Sequence, residues 1–374
     1  QEKILHGILI MSKKIIFSSG GTGGHIFPAV NLMKYFITKG YEVTLVTDYR
    51  GSSFIKDNEK IKTYIIKAET VTKKNIFKKI LSLIVIFFSI FKSILILKKE
   101  KADMVISFGG YVSFPISLAS FFFKIPLIAY ENNLVLGRAN KYLLPILNKI
   151  IIAIQKPINF PNKYRKKIEI VGPILNKNII DYKFKRKELN KKFSILVLGG
   201  SQGAENFGKV IPKTVNMLKQ KGYEISINQQ CLKNQKNEIT NFYIKNKIKN
   251  NVFEFDSNIL NLILSTDLAI ARCGASTTAE LAHTCTPFIA IPYPHALDNH
   301  QVLNAKFYEK KKYCWLLEES SFNSSNLFDL IDEIIINKKN LENVRQNMRN
   351  NYSNQVYVNI ENIVKDLIKK WKSM

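Results

Sequence analysis

One arrangement constrains this chain more than any other, a glycine cluster set between an apolar strand and a helix. Residues 13–19 are apolar and β-branched, the cluster GGTGGH occupies 20–25, and a helical pattern of apolar residues follows and ends at Gly40. A second strand is predicted at 42–47. Strand, glycine loop, helix and strand in this order form a βαβ unit, whose short crossover predicts a parallel sheet.

The same order recurs in the second half of the chain. A strand predicted at 193–198 leads into the glycine loop 199–203, a helix with apolar residues at helical spacing, and a further strand from Tyr223. A length of 374 residues fits two domains. The sequence therefore predicts an α/β protein of two Rossmann-like domains facing across a cleft, with ligands at the carboxyl ends of the strands.

The domain bounds follow from changes in composition. The first ten residues show no signal-peptide pattern and are interpreted as an upstream extension. A polar and basic stretch separates the two halves. The predicted segments are an extension at 1–11, a first domain at 12–172, a linker at 173–192 and a second domain at 193–351.

The formal net charge of +27 attracts polyanions such as nucleic acid, anionic lipid headgroups or phosphorylated substrates. A lysine-rich proteome, in which lysine replaces other solvated residues, explains the same charge equally well. The sequence carries no helix-turn-helix, zinc or RNA-recognition signature, so we expect no nucleic-acid partner and keep that function as the alternative from another class. The four cysteines lack metal or disulfide spacing, which favours a reducing, cytosolic compartment.

The strongest hydrophobic feature is the segment 80–97, which has pairs of lysines on both sides. A bilayer span needs about twenty apolar residues, whereas this run is shorter and contains Lys92. A transmembrane helix, a buried core helix, and a helix that packs one face and offers the other to the membrane interface all stay open. The lysines favour the last, since each contributes about 1 kcal/mol at an anionic surface. We expect residues 77–101 to bind an anionic membrane surface.

Three glycine clusters come directly after predicted strands, at 20–24, 109–110 and 199–203. Such clusters expose backbone N–H groups to phosphate oxygens, and the following helix N-terminus adds partial positive charge. Three of them at the same structural position predict a site that binds a diphosphate. None fits the P-loop pattern and the first lacks GxGxxG spacing, which argues against nucleoside triphosphatase and NAD-linked functions.

Four motifs resemble, in order, those of the MurG family of UDP-N-acetylglucosamine:undecaprenyl-diphospho-N-acetylmuramoyl-pentapeptide transferases. They are GGTGGH at 20–25, GGYVS at 109–113, GGSQGA at 199–204 and RCGASTTAE at 272–280. The resemblance implies the GT-B glycosyltransferase fold. It also implies that the first domain binds the acceptor, that the second binds most of the donor, and that a last helix at 352–374 packs back on the first domain.

The implied activity is inverting transfer of N-acetylglucosamine (GlcNAc) from UDP-GlcNAc to the C4 hydroxyl of N-acetylmuramic acid in an undecaprenyl-linked lipid acceptor, a step of peptidoglycan synthesis. In the family the glutamate of the last motif holds the ribose hydroxyls, and that role falls on Glu280. A carboxylate suits it, since it accepts two hydrogen bonds at once. Predicted UDP-GlcNAc contacts are Thr22, Gly23, Gly24, Asn133, Ser201, Ala275, Ser276, Thr277, Thr278, Ala279, Glu280 and Gln301, and predicted acceptor-diphosphate contacts are Gly20, Gly21, Gly109 and Gly110.

Two motifs depart from the family pattern. The turn at 131–133 resembles the family's HEQN motif, through which Asn133 would reach the transferred sugar from the opposite domain, but Tyr130 replaces the histidine. An arginine that the family places near the uracil is missing here. Asn176 and Lys177 stand in its place, and neither has the planar fork of arginine.

His25 is the predicted catalytic base, because histidine titrates near neutral pH and this one opens a helix after the first glycine loop. Two alternatives stay open: a histidine that only orients the acceptor diphosphate, and Glu131 as the base. No DxD pair follows a strand, so we predict chemistry without metal or cofactor, in which helix dipoles neutralise the departing UDP. The nearest alternative function is a glycolipid synthase that uses another UDP-sugar. The expected location is the cytoplasmic face of the bacterial inner membrane, as a peripheral protein.

Overall fold

A computed structural model describes most of the chain. The described residues are 13–55, 61–67, 76–155, 157–183, 192–200, 205–256, 258–349 and 355–373, without the side chains of residues 76, 78 and 79. The predicted extension at 1–11, residues 184–191 of the predicted linker, and Ser201 lie outside this described part.

Contacts between residues divide the chain into two units. Of the described residues, the first unit contains those at 13–132, 136–174 and 355–373, and the second contains those at 133–135 and 175–349. The change of unit between residues 174 and 175 falls inside the segment predicted as a linker. Three residues near the end of the first half, at 133–135, group with the second unit.

The first unit is built on a seven-stranded parallel sheet. Its strands are β1 (Lys14–Ser18), β2 (Glu42–Thr47), β3 (Lys62–Ile65), β4 (Met104–Ser107), β5 (Leu127–Glu131), β6 (Lys149–Ile152) and β7 (Ile168–Ile170). Its helices before residue 175 are α1 (Gly23–Thr38), α2 (Tyr49–Ser52), α3 (Ile76–Glu100), α4 (Ser113–Phe122) and α5 (Arg138–Leu143), with a 3-10 helix at Asn162–Lys167. The central strands β4 and β5 are buried throughout, which explains their unbroken apolar runs.

The second unit is built on a six-stranded parallel sheet. Its helices are α6 (Lys177–Ile180), α7 (Glu205–Gln220), α8 (Lys236–Lys245), α9 (Ile259–Ser265), α10 (Ala275–His283), α11 (His300–Lys310), α12 (Ser324–Ile336) and α13 (Lys338–Arg349), with 3-10 helices at Lys233–Gln235, Leu297–Asn299 and Glu319–Ser321. Its strands are β8 (Lys192–Leu198), β9 (Glu224–Gln230), β10 (Lys249–Phe253), β11 (Leu268–Ala271), β12 (Phe288–Ala290) and β13 (Cys314–Leu316).

Both sheets have the same kind of strand order. It is β3-β2-β1-β4-β5-β6-β7 in the first unit and β10-β9-β8-β11-β12-β13 in the second. The order reverses beside β1 and beside β8, and the loops that leave the carboxyl ends of the strands flanking such a point form a crevice where ligands bind. The prediction of two Rossmann-like domains is confirmed. The glycine clusters at 20–24 and 109–110, and Gly199 and Gly200 of the third, lie at these two reversal points.

The last helix, α14 (Val356–Lys372), belongs to the first unit. The hydroxyl of Tyr35 on α1 donates to Glu361 at 2.6 Å, and the Tyr357 ring stacks on Tyr35 with centroids 4.9 Å apart. Burial and the Glu361 carboxylate raise the pKa of Tyr35 well above its ordinary value. At the other end of α14, Lys372 pairs with Asp103 at 2.8 Å. These contacts hold α14 against the helix that begins at the first glycine loop.

Candidate functional site

The two glycine loops of the first unit touch each other backbone to backbone. The amide of Gly20 donates to the carbonyl of Gly109 at 3.1 Å. A Cβ atom added to Gly110 would lie 2.8 Å from the Cα of Gly20, closer than real Cβ atoms approach. Gly109 and Gly110 also have φ angles of +83° and +79°, which favour glycine. The sequence therefore needs glycine here so that the ends of β1 and β4 come together.

The first glycine loop is packed on one side and open on the other. A Cβ atom on Gly21 would lie 2.2 Å from Oδ1 of Asp48, the carboxylate that accepts from the amide of Gly51 at 2.7 Å and caps α2. A Cβ atom on Gly24, in contrast, would meet nothing within 4 Å. The open side lies at the N-terminus of α1, where the amides of Gly23 and Gly24 precede the first bonds of the helix, from His25 and Ile26 to the carbonyl of Thr22. Such a position suits an anion.

His25 lies at this open side with Thr22, the N-cap residue of α1. The Oγ1 of Thr22 and the Nδ1 of His25 are 2.8 Å apart. In the tautomer with hydrogen on Nδ1, that nitrogen donates to Thr22 and Nε2 is the basic nitrogen of the ring. The Nε2 edge of the ring faces Gly109, whose added Cβ would lie 3.4 Å away. The structure therefore brings three predicted site residues, Thr22, His25 and Gly109, to one place.

Glu131, the alternative base, lies deeper in the same unit. Its Oε2 accepts from the amide of Gly137 at 2.8 Å and from Nδ2 of Asn140 at 3.0 Å, and only 3% of the residue is exposed. The same Asn140 Nδ2 lies 3.7 Å from the position of an added Cβ on Gly109. Glu131 therefore contacts Asn140 and the start of α5, and Asn140 was not singled out from the sequence because it belongs to no glycine or acidic motif.

Helix α3 buries three serines and exposes most of its large apolar residues, although Ile96 and Leu97 near its end are buried. Ser82, Ser89 and Ser93 are buried, and the ammonium of Lys92 donates to the carbonyl of Ile65 at 2.7 Å. The outward residues form what we call the apolar face of α3; they are Phe77, Ile80, Leu81, Leu83, Ile84, Phe87, Phe88, Phe91 and Leu95. Phe88 is 65% exposed. The interpretation of this segment as a plain core helix is therefore wrong.

Length and composition alone would let this helix cross a bilayer. Within α3, the segment Ile80–Glu100 contains an 18-residue window with a mean hydropathy of 2.7, and 28% of that window is buried. Core helices of soluble proteins pass the same test of length and composition. Unlike such core helices, α3 directs its apolar face outward. Phe121 and Phe122, at the end of the neighbouring helix α4, are also exposed and add to this apolar surface.

In the second unit, α10 begins directly after Gly274 at the carboxyl end of β11. Gly274 is its N-cap, and an added Cβ there would meet nothing within 4 Å. The first amide that bonds within the helix is that of Thr278, to the carbonyl of Gly274 at 3.0 Å. The N–H groups of residues 275–277 therefore lie in the first turn, before the first helical bond.

The predicted donor contacts on α10 separate into outer and inner residues. Ser276 and Thr277 are partly exposed in the first turn. Thr278 and Ala279 are buried, and the hydroxyl of Thr278 donates to the carbonyls of Gly274 and Ala275. On this arrangement, the hydroxyl of Thr278 supports the helix start, and contact with a ligand falls to the residues before it.

Glu280 lies one turn further along α10. Its side chain is partly exposed, yet the surrounding protein desolvates the carboxyl and raises its pKa to about 7. Within the described part of the chain, no hydrogen bond or ion pair reaches this carboxyl. A partly buried carboxyl with both oxygens available is suited to accept from a pair of hydroxyls.

Gln301 and the loop before it close the second-unit site. The Oε1 of Gln301 accepts from the amide of Cys273 at 3.1 Å and from the amide of Tyr293 at 3.0 Å. Its side-chain oxygen therefore joins the end of β11 to the loop, and its NH2 group is left to donate. Asp298 and Asn299 both have left-handed φ angles, +53° and +56°. Such residues cost about 1–3 kcal/mol each and concentrate at functional sites.

Asn133 lies in the second unit, where it accepts from Nδ2 of Asn304 at 3.3 Å. Asn304 is buried and donates also to the carbonyl of Cys273 at 3.1 Å. The sequence predicts that Asn133 reaches the sugar from the first domain, opposite the donor-binding domain. In the structure, Asn133 belongs to the second unit together with Cys273 and Gln301. No sequence signal marked Asn304, which sits in the middle of an ordinary helical pattern.

The departures from the family pattern have structural roles of their own. The hydroxyl of Tyr130 accepts from the amide of Ile174 at 3.0 Å and donates to Oδ1 of Asn132 at 3.1 Å. Asn176 caps α6, accepting from the amide of Asn178 at 2.9 Å, while Lys177 is exposed. Among the described residues, no three histidine, cysteine or acidic side chains lie close enough together to hold a metal ion.

Comparison with known proteins identifies the group to which this chain belongs. The glycosyltransferase family 28 N-terminal domain matches residues 15–152, and the glycosyltransferase family 28 C-terminal domain matches residues 194–363. A UDP-N-acetylglucosamine–N-acetylmuramyl-(pentapeptide) pyrophosphoryl-undecaprenol N-acetylglucosamine transferase of Pelagibacter ubique is 36% identical, covering 92% of this chain and 96% of that protein. The protein of the same name from Rickettsia bellii is also 36% identical, with 90% and 94% covered.

Solved structures support the same assignment. The crystal structure of Acinetobacter baumannii MurG matches with a TM-score of 0.76 and 25% identity, covering 96% of this chain and 99% of that one. A Staphylococcus aureus MnaA-UDP structure matches with a TM-score of 0.69 at 14% identity, which supports the fold alone. The chain therefore belongs to glycosyltransferase family 28 and, within it, to the MurG family of N-acetylglucosamine transferases.

Proposed function

We propose that this chain transfers GlcNAc from UDP-GlcNAc to the C4 hydroxyl of N-acetylmuramic acid in undecaprenyl-diphospho-N-acetylmuramoyl-pentapeptide, with inversion at the anomeric carbon. The acceptor would be held at the cytoplasmic face of the inner membrane. Relatives that carry this activity in their names match over nine tenths of the chain. The single observation that carries the acceptor assignment is the outward apolar face of α3 in the unit that contains His25 and both interlocked glycine loops.

The donor is proposed to bind the second unit. Glu280 accepts from the ribose hydroxyls, and the N–H groups at the start of α10 bind the diphosphate, where the helix dipole adds partial positive charge. The NH2 group of Gln301 donates to a hydroxyl of the sugar, because its oxygen is occupied by Cys273 and Tyr293. Ser201 would add a further diphosphate contact, and lies outside the described residues.

The acceptor is proposed to bind the first unit. Backbone N–H groups at the open side of the first glycine loop receive its diphosphate, with the helix N-terminus of α1 behind them. This differs from the sequence prediction, which gave Gly23 and Gly24 to UDP-GlcNAc and Gly20 to the acceptor, because the amide of Gly20 donates to Gly109. The lipid chain lies along the apolar face of α3, within the bilayer surface. Lysines at the end of this helix, Lys98 and Lys99, are exposed and favour anionic headgroups.

The reaction then requires transfer of one proton from the attacking hydroxyl and departure of UDP from the anomeric carbon. His25 Nε2 takes the proton from the attacking hydroxyl as the new bond forms between its oxygen and the anomeric carbon. The bond from that carbon to the diphosphate breaks in the same displacement, and UDP leaves with the electron pair. The N–H groups of α10 stabilise its growing negative charge. Glu131 is proposed to hold Asn140 and the start of α5 beside Gly109.

The test is transfer of labelled sugar to a short-chain lipid acceptor, with UDP-GlcNAc compared with UDP-glucose and UDP-N-acetylgalactosamine. We expect labelled lipid product from UDP-GlcNAc at a rate well above those of the other donors. Product from another UDP-sugar, with none from UDP-GlcNAc, would contradict the proposal and favour a different glycolipid synthase.

A further inference from the structure

Arg272 opens the last of the four glycine-containing motifs, and the proposed function gives it no task. It follows β11, and only 7% of it is exposed. Its Nη1 donates to the carbonyls of Ile291 at 3.2 Å and Pro292 at 3.4 Å, which begin the loop that leads to Gln301. We call residues 291–299, which lead to Gln301, the sugar loop. A buried guanidinium therefore joins the start of α10 to the sugar loop.

The charge of Arg272 is matched by Glu319, from the 3-10 helix that follows β13. The Oε2 of Glu319 lies 2.5 Å from Nη1 of Arg272, and its Oε1 accepts from Nδ2 of Asn206 at 3.0 Å. Burial would raise the pKa of Glu319, but the hydrogen bonds from Arg272 and Asn206 hold it below its ordinary value. Glu319 is therefore an anion that binds two different loops at once.

Two aromatic rings complete the surroundings of the guanidinium. The Arg272 guanidinium carbon lies 4.7 Å from the centroid of the Phe207 ring and 5.5 Å from that of Tyr293. Cation–π contacts of this kind are stronger when the cation is desolvated. Phe207 lies on α7, as does Asn206, the second partner of Glu319. Tyr293 lies in the sugar loop, next to Pro292, whose carbonyl accepts from Arg272.

Each of the three segments joined here adjoins residues of the proposed donor site in the sequence. Asn206 is the second residue of α7, the helix that follows the glycine loop after β8. Arg272 comes directly before Cys273 and Gly274, where α10 begins. Pro292 leads into the loop that Gln301 also holds. A buried ion pair is weak evidence for stability. Stability alone therefore does not explain why the Arg272–Glu319 pair lies where these three segments meet.

We propose that Arg272, Glu319 and Asn206 form a positioning cluster that fixes the three donor loops relative to one another, with Glu319 as its centre. This inference rests on the proposed function of the second unit as the UDP-sugar site. None of the three side chains is assigned a contact with the reacting atoms. The cluster acts through Gln301 and the N–H groups of α10, so its loss is expected to weaken donor binding and to spare the chemical step.

The experiment measures binding and turnover of Glu319→Gln in the full chain. Calorimetry is expected to show a dissociation constant for UDP-GlcNAc about tenfold above that of the wild type, because the charge-assisted bonds to Arg272 are lost. At saturating donor, kcat stays within about twofold, and KM for a short-chain lipid acceptor does not change. Asn206→Ala, which removes one neutral hydrogen bond, is expected to give about a threefold weaker donor constant. The double variant is expected to fall short of the product of the two effects, because the residues share one network.

Asp332→Asn is the matched control. Asp332 is also a carboxylate of the second unit that accepts from a cation, Lys221, and from a neutral donor, Tyr223, each at 2.7 Å. It lies on α12, outside the three loops. Its loss is expected to lower the melting temperature by an amount similar to that of Glu319→Gln, and to leave the donor dissociation constant within about twofold.

Two outcomes would overturn the inference. One is a donor dissociation constant for Glu319→Gln and for Asn206→Ala that stays within twofold of the wild type. The other is a rise in acceptor KM as large as the rise for the donor. If the wild type binds UDP-GlcNAc yet forms no lipid product, the proposed acceptor reaction fails, and the binding constants still decide whether the cluster positions the donor loops.

Discussion

The two units share one topology and use it differently. In each, the strand order reverses beside the first strand of the unit, and a helix begins at a glycine at that point. In the first unit the glycine loops of β1 and β4 touch, and the helix start carries a titratable side chain, His25. In the second unit the helix start presents N–H groups, and the titratable side chain, Glu280, lies one turn behind them.

The outer surfaces differ as well. The first unit exposes nine large apolar residues along the single helix α3. In the second unit, Ile244, Phe255 and Ile336 are exposed on α8, after β10 and on α12. An exposed apolar patch marks an interaction surface, and isolated apolar residues do not. The proposed function thus gives one fold two tasks: binding of a soluble nucleotide by the second unit, and presentation of a base by the first unit to an acceptor that arrives from a membrane.

The largest effect that sharpens this comparison is expected at His25. His25→Ala removes the proposed base, so kcat is expected to fall by about 10²- to 10⁴-fold while the dissociation constant for UDP-GlcNAc is unchanged. Steady-state transfer kinetics and calorimetry measure the two quantities. A variant that keeps at least half of the wild-type kcat would remove His25 from the reaction and return Glu131 as the candidate base.

Glu280 is expected to show the opposite pattern. Glu280→Ala removes the hydrogen bonds to the ribose, which are worth about 1.5–3 kcal/mol when the acceptor is charged, so donor affinity falls by about 10- to 100-fold. Glu280→Gln keeps one acceptor oxygen and is expected to lie between the alanine variant and the wild type. Calorimetric titration with UDP-GlcNAc is the measurement, and an unchanged constant in both variants would contradict the ribose role.

The apolar face of α3 is expected to control membrane binding. Phe87→Glu with Phe88→Glu places two charges where apolar side chains would enter the bilayer, so affinity for vesicles containing phosphatidylglycerol falls by more than about tenfold. Ile336→Glu is the matched control, because Ile336 is 67% exposed on α12 and Phe88 is 65% exposed on α3. Equal vesicle binding by both variants in a flotation assay would break the distinction between the two surfaces.

Donor binding is expected to depend on pH through Glu280. Burial raises the pKa of this carboxyl to about 7, and only the ionised form accepts two hydrogen bonds. Between pH 8 and pH 6 the ionised fraction falls by about tenfold, so the UDP-GlcNAc dissociation constant rises by about that factor. Because the folded pKa is raised, the contribution of this group to stability is present at low pH and lost as pH rises through 7. Glu280→Gln should therefore bind UDP-GlcNAc with little pH dependence and melt above the wild type at pH 8.

The smallest expected effect concerns the hydroxyl that orients His25. Thr22→Val removes the partner of Nδ1 and is expected to lower kcat about fivefold, the value of one hydrogen bond of about 1 kcal/mol. Thr22→Ser keeps the hydroxyl and should retain the wild-type rate. If serine and valine have equal effects in the transfer assay, the methyl group and not the hydrogen bond is what matters.

Much of the fold can be predicted from local sequence. Each glycine cluster comes between an apolar strand and a helix, and this order identifies the βαβ units of both sheets. The direction of α3 does not follow in this way. Its apolar residues cover most of the helix, so the pattern alone does not show which side is buried. In the structure that side carries Ser82, Ser89 and Ser93, followed by Ile96 and Leu97.

The partners of the site residues also depend on packing between distant segments. The acceptor bonds of Glu131 come from Gly137 and Asn140 at the start of α5, and no motif announces them. Glu319 is 113 residues from Asn206 and 47 from Arg272 in the sequence. Glycine residues whose backbone geometry suits a ligand are thus visible in the sequence, whereas the residues that hold them in place are not.

The measurement that tests the division of tasks most directly is photolabelling of the full chain with two probes. An azido-uridine analogue of UDP-GlcNAc is expected to label peptides of the second unit around β11, α10 and Gln301. A lipid diphosphate bearing a photoreactive group beside the phosphates is expected to label peptides of the first unit between β1 and α1 or after β4, and each label should be lost in excess unlabelled ligand. Both probes labelling the same unit, or the reverse assignment, would contradict the account.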